Sequence, residues 1–331
     1  MSELYPLLMT PIFDPRPWGR LDLSPIYPKR FQERIGESWL TGDHGTVQNG
    51  PLAGKTLAEL AARYQRAFVG DAPADSKRFP LLMKFLFPEQ KLSVQVHPDD
   101  VAAQELGEPC GKTECWYVTH AQPGAELALG LKPGVTRAEF ERSIHENRAE
   151  ELLNWIKVSA GDLIFVAGGT VHTLGPGSII VETQQQSDTT FRLYDYGRPR
   201  ELHLEHGLRV IKERAASGKV KPQPFSKLGG NGNFLQPLVA SRYFAVENFR
   251  LHGEQEFPSP AGKSSAQILV ATDGAGVLSA PGYDSIEFAK GDAVVVPACI
   301  PRFTVVPRNE IAFLKSYVPG VPVPEPETSL V

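Results

Sequence analysis

Cysteine is scarce in this chain, which has only Cys110, Cys115 and Cys299 among 331 residues. Three cysteines are unsuited to the disulfide frameworks that stabilise small secreted proteins. Long hydrophobic runs are also missing, since none approaches the roughly 18 apolar residues that a membrane-spanning helix requires. The N-terminal stretch MSELYPLLMTPIF lacks the basic region and the long apolar segment of a secretory signal. These absences predict a cytoplasmic protein with no membrane partner.

Positive charge is limited as well. The formal net charge is −4, from 34 lysines and arginines against 38 aspartates and glutamates, and no basic run stands out. Because nucleic-acid binding requires a concentrated cationic surface, we expect no nucleic-acid partner. A small anionic ligand remains compatible with this composition, since a few local arginines can outweigh a mildly acidic whole. The chain also lacks a Walker A motif and a G-x-S-x-G elbow.

The chain is rich in short segments that resemble β-strands. Each has many aromatic and β-branched residues and is bounded by glycine or proline, which favours antiparallel sheets closing as sandwiches or barrels. The predicted strands cover residues 81–87, 92–97, 114–120, 162–168, 178–185, 189–196, 266–273, 293–298 and 303–307. Apolar residues at helical spacing predict helices at 55–68, 98–106, 136–156 and 201–215. The predicted fold class is therefore mainly β with additional α-helices.

Four polar side chains in three separate segments have the chemistry of a metal site. Polar and apolar residues alternate over 92–97, so Gln95 and His97 point to the same face of a strand. Glu114 opens an apolar strand, where an unpaired carboxylate would be costly, and His172 follows a glycine pair. An amide oxygen, two imidazoles and a carboxylate suit a divalent cation such as Zn²⁺. Ordinary structural roles are equally open to these residues, so spacing alone does not decide between the two interpretations.

Two further charged residues lie close to these segments in the sequence. Lys112, two residues before Glu114, can reach the same side of a pocket, and its alternative is a solvated lysine in a turn. Arg192 lies in a predicted strand, and arginine is always protonated and binds phosphate and other oxyanions in bidentate fashion. The alternative for Arg192 is a salt bridge to Asp188 or Asp195.

A proline- and glycine-rich stretch divides the chain. We predict a metal-binding domain with helical elements at residues 1–217, a linker at 218–233 and a second β domain at 234–331. The two domains share a short repeat, because Gly161-Asp162 and Gly291-Asp292 open similar apolar segments at an offset of 130 residues. At that offset His172 corresponds to Arg302, so a duplicated second domain would have lost this metal ligand.

Five segments, in order, resemble type I mannose-6-phosphate isomerases, most closely the short bacterial branch of that family. They are PIFDPRPWG (11–19), IGESWL (35–40), KFLFPEQKLSVQVHPDD (84–100), GKTECWYV (111–118) and AGGTVHTLGPGSIIVETQQQSDTTFRLYDYGR (167–198). The likeness is dense over the first two-thirds of the chain and loose over the rest. It implies two cupin-like antiparallel β-barrels (jelly rolls) with helices packed around them, of which only the first binds metal.

The resemblance also implies an activity and a site. Members of the family interconvert mannose 6-phosphate and fructose 6-phosphate, so the expected partner is a small-molecule sugar phosphate and the expected activity an aldose–ketose isomerase. By likeness, one Zn²⁺ per chain is bound by Gln95, His97, Glu114 and His172. The catalytic arginine of the family falls on Arg192. The long branch has His-Lys-Pro-Glu where this chain has Gly-Lys-Thr-Glu at 111–114, and the absence of that histidine leaves the identity of the base open.

The implied reaction moves a carbonyl between C1 and C2 through a cis-enediol. It requires a base that removes the C2 proton and returns it at C1, for which Lys112, Glu182 and a metal-bound water are the candidates. Arg192 would stabilise enediolate charge or hold the phosphate. Two other functions would use a similar barrel, namely a metal-dependent oxygenase with two histidines and a carboxylate, and a non-catalytic sugar-phosphate sensor. The sequence does not predict the oligomeric state.

Overall fold

Antiparallel strands make up most of the regular structure in the computed structural model, which describes residues 3–258, 264–321, 323–324 and 326–329. Strands account for 44% and helices for 13%, which confirms the predicted mainly β class. The strands of the first two-thirds are β1 Leu7–Thr10, β2 Ile12–Asp22, β3 Arg30–Trp39, β4 Thr46–Val47, β5 Leu81–Leu86, β6 Val94–Val96, β7 Glu114–Ala121, β8 Glu126–Leu131, β9 Leu153–Lys157, β10 Leu163–Val166, β11 His172–Leu174, β12 Ser178–Gln185 and β13 Phe191–Tyr194. Those of the last third are β14 Gly218–Val220, β15 Ser226–Leu228, β16 Asn233–Ala240, β17 Ala245–Leu251, β18 Gln255–Pro258, β19 Gln267–Ser279, β20 Ile286–Ala289, β21 Ala293–Val296, β22 Arg302–Tyr317 and β23 Thr328–Ser329.

Helices are short and lie between the strands. They are α1 Leu57–Tyr64, α2 Arg66–Val69, α3 Asp100–Glu105, α4 Arg137–His145 and α5 Leu204–Val210, with 3₁₀ turns at Gly50–Leu52 and Ala149–Leu152. Among the described residues no helix is long and apolar enough to cross a membrane.

Each predicted strand overlaps an observed strand, but one predicted helix is wrong over its second half. The helix predicted at 136–156 begins as expected, because Thr136 and Glu139 form a capping box. It ends at His145, and Asn147 adopts a left-handed backbone conformation with φ 58°. Leu153 and Ile156 are then buried in β9, which pairs with β8. Residues three apart in a strand point to opposite faces, so the two side chains pack in different cores.

Four strands at the start of the chain, β1 to β4, were not predicted. β2 contains Pro15 and Pro17, which are unfavourable inside a sheet. β2 is an edge strand, paired to β3, so these prolines leave few ladder hydrogen bonds unmade.

The sheets stack as three layers. The eight-stranded middle sheet has the order β2-β3-β5-β12-β7-β10-β14-β23, and the five-stranded sheet has the order β13-β6-β11-β8-β9. A ten-stranded sheet is built around β15-β16-β17-β22-β19-β21-β1-β4, with β18 and β20 paired to β22 and β19. Successive residues of β7 point to opposite faces, so Cys115 and Tyr117 join the core shared with the ten-stranded sheet. Trp116 and Val118 join the core shared with the five-stranded sheet.

The two parts of the chain are interleaved at their edges. β1, at the N-terminus, pairs with β21 of the ten-stranded sheet. The predicted linker at 218–233 holds β14, which pairs with β10, and β15, which pairs with β16. The division into domains at 1–217 and 234–331, whose residues 1–2, 259–263, 322, 325 and 330–331 lie outside the described part, stays a prediction. The closure of the sheets into two barrels also stays a prediction.

The short repeat has a structural counterpart. Gly161 and Gly291 both adopt left-handed conformations, with φ 92° and 94°, in the turns that precede β10 and β21. His172 and Arg302 then occupy the first positions of β11 and β22. Arg302 is exposed on the surface, whereas His172 is buried, so the equivalent positions have different environments.

Candidate metal centre and active site

Three predicted metal ligands converge between the middle sheet and the five-stranded sheet. His97, Glu114 and His172 present ligand atoms that lie within 4.8 Å of one another. His172 Nε2 is 3.4 Å from Glu114 Oε1, and His97 Nε2 is 3.5 Å from Glu114 Oε2. None of the three side chains is more than 1% exposed. Buried groups at these separations form a cluster that can hold a single metal ion.

The fourth predicted ligand, Gln95, lies beside this cluster. It is directly opposite His172 where β6 pairs with β11, and its Nε2 is 3.2 Å from His172 Nε2. A half-turn of the terminal amide exchanges its nitrogen and oxygen, which would place an acceptor oxygen at the same point. The structure therefore brings all four predicted ligands together.

Both histidines are held in the tautomer whose Nε2 lone pair can coordinate a metal. His97 Nδ1 lies 3.0 Å from the Thr189 carbonyl oxygen, and His172 Nδ1 lies 2.9 Å from the Thr170 carbonyl oxygen. Only a protonated Nδ1 can donate to a carbonyl, so the neutral ring carries its lone pair on Nε2. Burial lowers the pKa of His172 to about 4, and burial followed by the charge of Lys112 lowers the pKa of His97. Both rings are therefore neutral at pH 7, the form that coordinates metals.

Glu114 indicates that a cation belongs in this cluster. Both of its carboxylate oxygens are buried, and neither accepts a hydrogen bond from the described residues. Lys112 compensates part of the charge, with Nζ 3.3 Å from Glu114 Oε2 and 3.1 Å from His97 Nε2. Because a buried carboxylate without further partners is costly, a divalent cation between the imidazoles and the carboxylate fits this donor set.

Glycines allow the three ligand-bearing segments to approach closely. The backbone that follows His97 runs between two loops, and a Cβ on Gly111 would lie 2.5 Å from the carbonyl carbon of Asp99. A Cβ on Gly168 would lie 2.7 Å from the Asp99 Cα. Gly169 N donates to the His97 carbonyl oxygen at 2.7 Å, which locks the approach. Only glycine fits positions 111 and 168, so the segments GKTE and AGGTVH are suited to bring Glu114 and His172 to His97.

A cavity of about 400 Å³ opens beside the cluster. Gln95 and Lys112, which touch the cluster, line this cavity. Its charged lining consists of the cations Arg16, Lys84, Lys112, Arg192 and Arg200 and the anions Glu37, Glu182 and Asp188. All three predicted catalytic residues, Arg192, Lys112 and Glu182, are in this set. Five cationic side chains against three anionic ones suit a small anionic ligand.

Arg192 is not engaged in the salt bridge that was its alternative. Within the described residues it forms no ion pair with Asp188 or Asp195, and Asp195 instead binds Arg200 through two contacts of 2.7 Å. Arg192 Nη1 donates to the Glu201 carbonyl oxygen at 2.7 Å, and its buried Nε has no hydrogen-bond partner in the described part of the chain. Burial, and then the charge of Arg200, lower the pKa of Arg192. The guanidinium retains donors for a ligand in the cavity.

Glu182 is a buried carboxyl with an unusual protonation equilibrium. It lies on β12 directly opposite Trp116 and Lys84, and Trp116 Nε1 donates to its Oε1 at 3.0 Å. Burial, and then the charge of Glu114, raise the pKa of Glu182 to about 7. A carboxyl that titrates near neutral pH can both accept and donate a proton, as acid–base catalysis requires.

An ion network in the lining of the cavity was not predicted. Lys84 is 4% exposed, and its Nζ lies 3.3 Å from Glu37 Oε2, 3.8 Å from Glu182 Oε2 and 3.7 Å from Asp188 Oδ1. Arg16 Nε donates to Glu37 Oε1 at 3.0 Å. The signal for this network is a single lysine inside the apolar run LLMKFLF, since a buried lysine must be paired.

Comparison with known proteins gives the same family for both parts of the chain. Residues 25–112 match the model of the type I phosphomannose isomerase catalytic domain, and residues 236–316 match that of the mannose-6-phosphate isomerase cupin domain. Mannose-6-phosphate isomerase ManA of Bacillus subtilis (strain 168) is 36% identical over 90% of this chain and 95% of its own length.

Solved structures agree with this likeness. The crystal structure of a mannose 6-phosphate isomerase from Bacillus subtilis superimposes with a TM-score of 0.83 at 32% identity, over 94% of this chain and 99% of that one. A zinc-bound mannose 6-phosphate isomerase, 15% identical with a TM-score of 0.72, shares the fold over 93% of this chain and 98% of its own. With this extent of identity and coverage, the chain belongs to the type I mannose-6-phosphate isomerase family.

Proposed function

We propose that this protein interconverts mannose 6-phosphate and fructose 6-phosphate. The observation that carries the proposal is the buried cluster of His97, Glu114 and His172 beside a cavity with excess positive charge. The cluster supplies ligands for a cation, and the cavity suits an anionic sugar phosphate. The relatives at 34–36% identity include an isomerase named for this reaction. Neither a sensor nor an oxygenase is favoured by any of these findings.

The resident metal in this proposal is one Zn²⁺ per chain. Its ligands are Gln95, His97, Glu114 and His172, a set of nitrogen and oxygen donors typical of zinc. When bound, zinc supplies Lewis-acid stabilisation of negative charge on the oxygens at C1 and C2 of the sugar.

Arg192 is proposed to stabilise the enediolate. It lies on β13 directly opposite Gln95 of β6, so its strand position is next to the metal ligands and not at the far wall of the cavity. Arg16 and Arg200 line the same cavity and are proposed to bind the phosphate group with donors that their ion pairs to Glu37 and Asp195 leave unused. This arrangement separates the charge that binds the substrate from the charge that acts on the reacting carbons.

Glu182 and Lys112 are proposed to move the protons. Glu182, with a pKa of about 7, takes the proton from C2 and returns it to C1. Lys112 Nζ, buried beside His97 and Glu114, passes the hydroxyl proton from O2 to O1, so the aldose becomes the ketose without an external redox partner.

The architecture proposed for the chain is a pair of cupin-like barrels, the first with the zinc site and the second without metal. The cupin-domain match over residues 236–316 and the repeated glycine turns at Gly161 and Gly291 support it. A sugar phosphate is the proposed partner, with neither nucleic acid nor membrane. A cytoplasmic location stays a prediction from the sequence.

A coupled assay with mannose 6-phosphate tests the proposal. The purified protein should convert the substrate, lose activity after exhaustive chelation and regain it with added zinc, and elemental analysis should find one zinc per chain. Metal-loaded protein that binds sugar phosphate without turnover would support a sensor instead. Bound iron with dioxygen consumption would support an oxygenase, and full turnover after chelation would rule out the metal.

A further inference from the structure

Lys112 lies in a loop whose backbone is held at three successive positions. Gly111 N donates to Asp100 Oδ1 at 2.9 Å, Lys112 N donates to the Pro98 carbonyl oxygen at 2.9 Å, and Thr113 N donates to Gln185 Oε1 at 2.8 Å. Two of these three acceptors are side chains. Residues 111–113 are buried, so water does not replace these bonds easily.

Asp100 joins these contacts to the last third of the chain. Its Oδ1 also accepts from Gln185 Nε2 at 3.0 Å, which links the two side-chain acceptors. Its Oδ2 accepts from the hydroxyl of Tyr243 at 2.9 Å, and Arg242 Nη2 lies 3.7 Å from the same oxygen. Tyr243 lies between β16 and β17 of the ten-stranded sheet, so the chain of hydrogen bonds crosses from that sheet to the loop.

We propose that Tyr243, Asp100 and Gln185 are positioning residues that hold Lys112 at the metal centre. The proposal rests on the proposed function, since it assigns Lys112 a role in the isomerase reaction. Through the Tyr243 hydroxyl and the Asp100 carboxylate, the last third of the chain would then contribute to catalysis at the metal centre.

The helix that contains Asp100 does not account for these contacts. Asp99 is the N-cap of α3, with a side chain that accepts from Ala102 N at 2.9 Å, so capping is complete without Asp100. Both oxygens of Asp100 are directed instead to Gly111, Gln185 and Tyr243.

The lysine ammonium lies at the end of a flexible four-carbon side chain, so its position depends on how well the backbone is held. Its Nζ lies within 3.3 Å of both His97 and Glu114, and the backbone that carries it is held by three hydrogen bonds. Misplacement of a reacting group by about 1 Å can cost on the order of 100-fold in rate. We call the hydrogen bonds made by Tyr243, Asp100 and Gln185 the brace. Loss of the brace should therefore lower kcat much more than it changes KM or zinc binding.

The experiment compares Tyr243→Phe and Asp100→Ala with two matched controls. Tyr317→Phe removes a hydroxyl of the ten-stranded sheet that donates to Glu247. Asp99→Asn alters the carboxylate next to Asp100 while keeping its capping oxygen. We expect kcat to fall about tenfold in Tyr243→Phe and about 100-fold in Asp100→Ala, with KM within about twofold, one zinc per chain and unchanged controls. Asp100→Asn should recover part of the loss, because an amide oxygen still accepts from Gly111 N.

Hydrogen exchange gives a second readout that does not depend on turnover. Amides of residues 111–113 should exchange faster in Tyr243→Phe than in the wild type and in Tyr317→Phe. Equal kcat or equal exchange in Tyr243→Phe and the wild type would overturn the brace, as would a fall in kcat explained by lost zinc. A zinc-loaded wild type without isomerase activity would instead overturn the proposed function, together with the catalytic role of the brace.

Discussion

Individual hydrogen bonds determine whether the residues of the candidate metal centre can coordinate a cation. The Thr189 and Thr170 carbonyls orient the rings of His97 and His172 so that both Nε2 atoms face Glu114. Glu114, in contrast, accepts no hydrogen bond from the described residues, and its two buried oxygens are available to a cation. The same three residue types at a protein surface would have none of these properties, because water would satisfy every lone pair.

Removal of one imidazole should release the metal. We expect His172→Ala to retain less than about a tenth of its zinc and to lose isomerase activity in parallel, because three ligands bind zinc more weakly than four. Elemental analysis of the purified variant, beside the coupled assay, measures both quantities. His145→Ala, an exposed histidine at the end of α4, is the control and should behave as the wild type. Full zinc content in His172→Ala would remove this residue from the proposed ligand set.

Removal of the Arg192 guanidinium should lower activity without releasing the metal. Arg192→Ala should fold and keep one zinc per chain, while kcat/KM falls by about 100-fold or more because charge on the enediolate is no longer stabilised. Elemental analysis and steady-state kinetics separate the two effects. Arg209→Ala removes an exposed arginine that pairs with Glu105 outside the cavity and serves as the control. Wild-type kinetics in Arg192→Ala would exclude this arginine from the site.

Neighbouring strands in the wall of the cavity are joined by ion pairs as well as by backbone hydrogen bonds. Glu37, Lys84 and Glu182 lie on β3, β5 and β12, which are adjacent in the middle sheet. Burial alone would raise the pKa of Glu37, but the charges of Lys84 and then Arg16 outweigh it and lower the pKa to about 2. The ionised carboxylate thus stabilises this part of the sheet.

Because of this network, the free energy of unfolding should depend on pH in the acidic range where Glu37 titrates. A carboxyl whose pKa is about 2 in the folded state and about 4.3 in the unfolded chain contributes stability above pH 4.3, and that contribution is lost as pH falls toward 2. The difference in unfolding free energy between wild type and Glu37→Gln should therefore shrink by about 2 kcal/mol between pH 6 and pH 3. Urea titrations at both pH values measure it, with the exposed Glu33→Gln of the same strand as control. A difference that is equal at both pH values would contradict this prediction.

Strand patterns were readable from the sequence, whereas the pairing between strands was not. Alternation over 92–97 predicted that Gln95 and His97 share a face, and both reach the cluster. That Gln95 lies opposite both His172 and Arg192 depends on which strands become neighbours, and no local pattern encodes this register. Lys84 shows the same limit, because its apolar surroundings were visible but its partners come from distant segments.

The helix predicted at 136–156 failed where a strand is buried on both faces. Leu153 and Ile156 continue the helical spacing of α4, but in β9 they point to opposite faces and pack in two different cores. The metal ligands were readable mainly through the ordered motifs, since spacing alone left an ordinary structural interpretation open. The brace from Tyr243 was not readable at all, because a tyrosine hydroxyl and a carboxylate 143 residues away have no common pattern.

At the scale of the whole molecule, the middle sheet is buried on both faces. Its site-side face packs on the five-stranded sheet, and its other face packs on the ten-stranded sheet. Phe165 of the middle sheet and Phe244, next to β17, belong to one core, with ring centroids 6.2 Å apart. A core formed by residues from both parts of the chain couples their stabilities, so neither part is expected to unfold alone.

The tryptophans allow this coupling to be measured. All four, Trp18, Trp39, Trp116 and Trp155, precede residue 218, whereas Phe244 follows it. Phe244 is fully buried, so Phe244→Ala should destabilise the protein by about 3–5 kcal/mol. Tryptophan fluorescence during urea unfolding should report this loss at the same midpoint as far-ultraviolet circular dichroism, because the layers share one core. Val306→Ala, at a position 42% exposed, is the control and should shift neither signal. A tryptophan transition that stays at the wild-type midpoint in Phe244→Ala would mean that the two parts of the chain unfold independently.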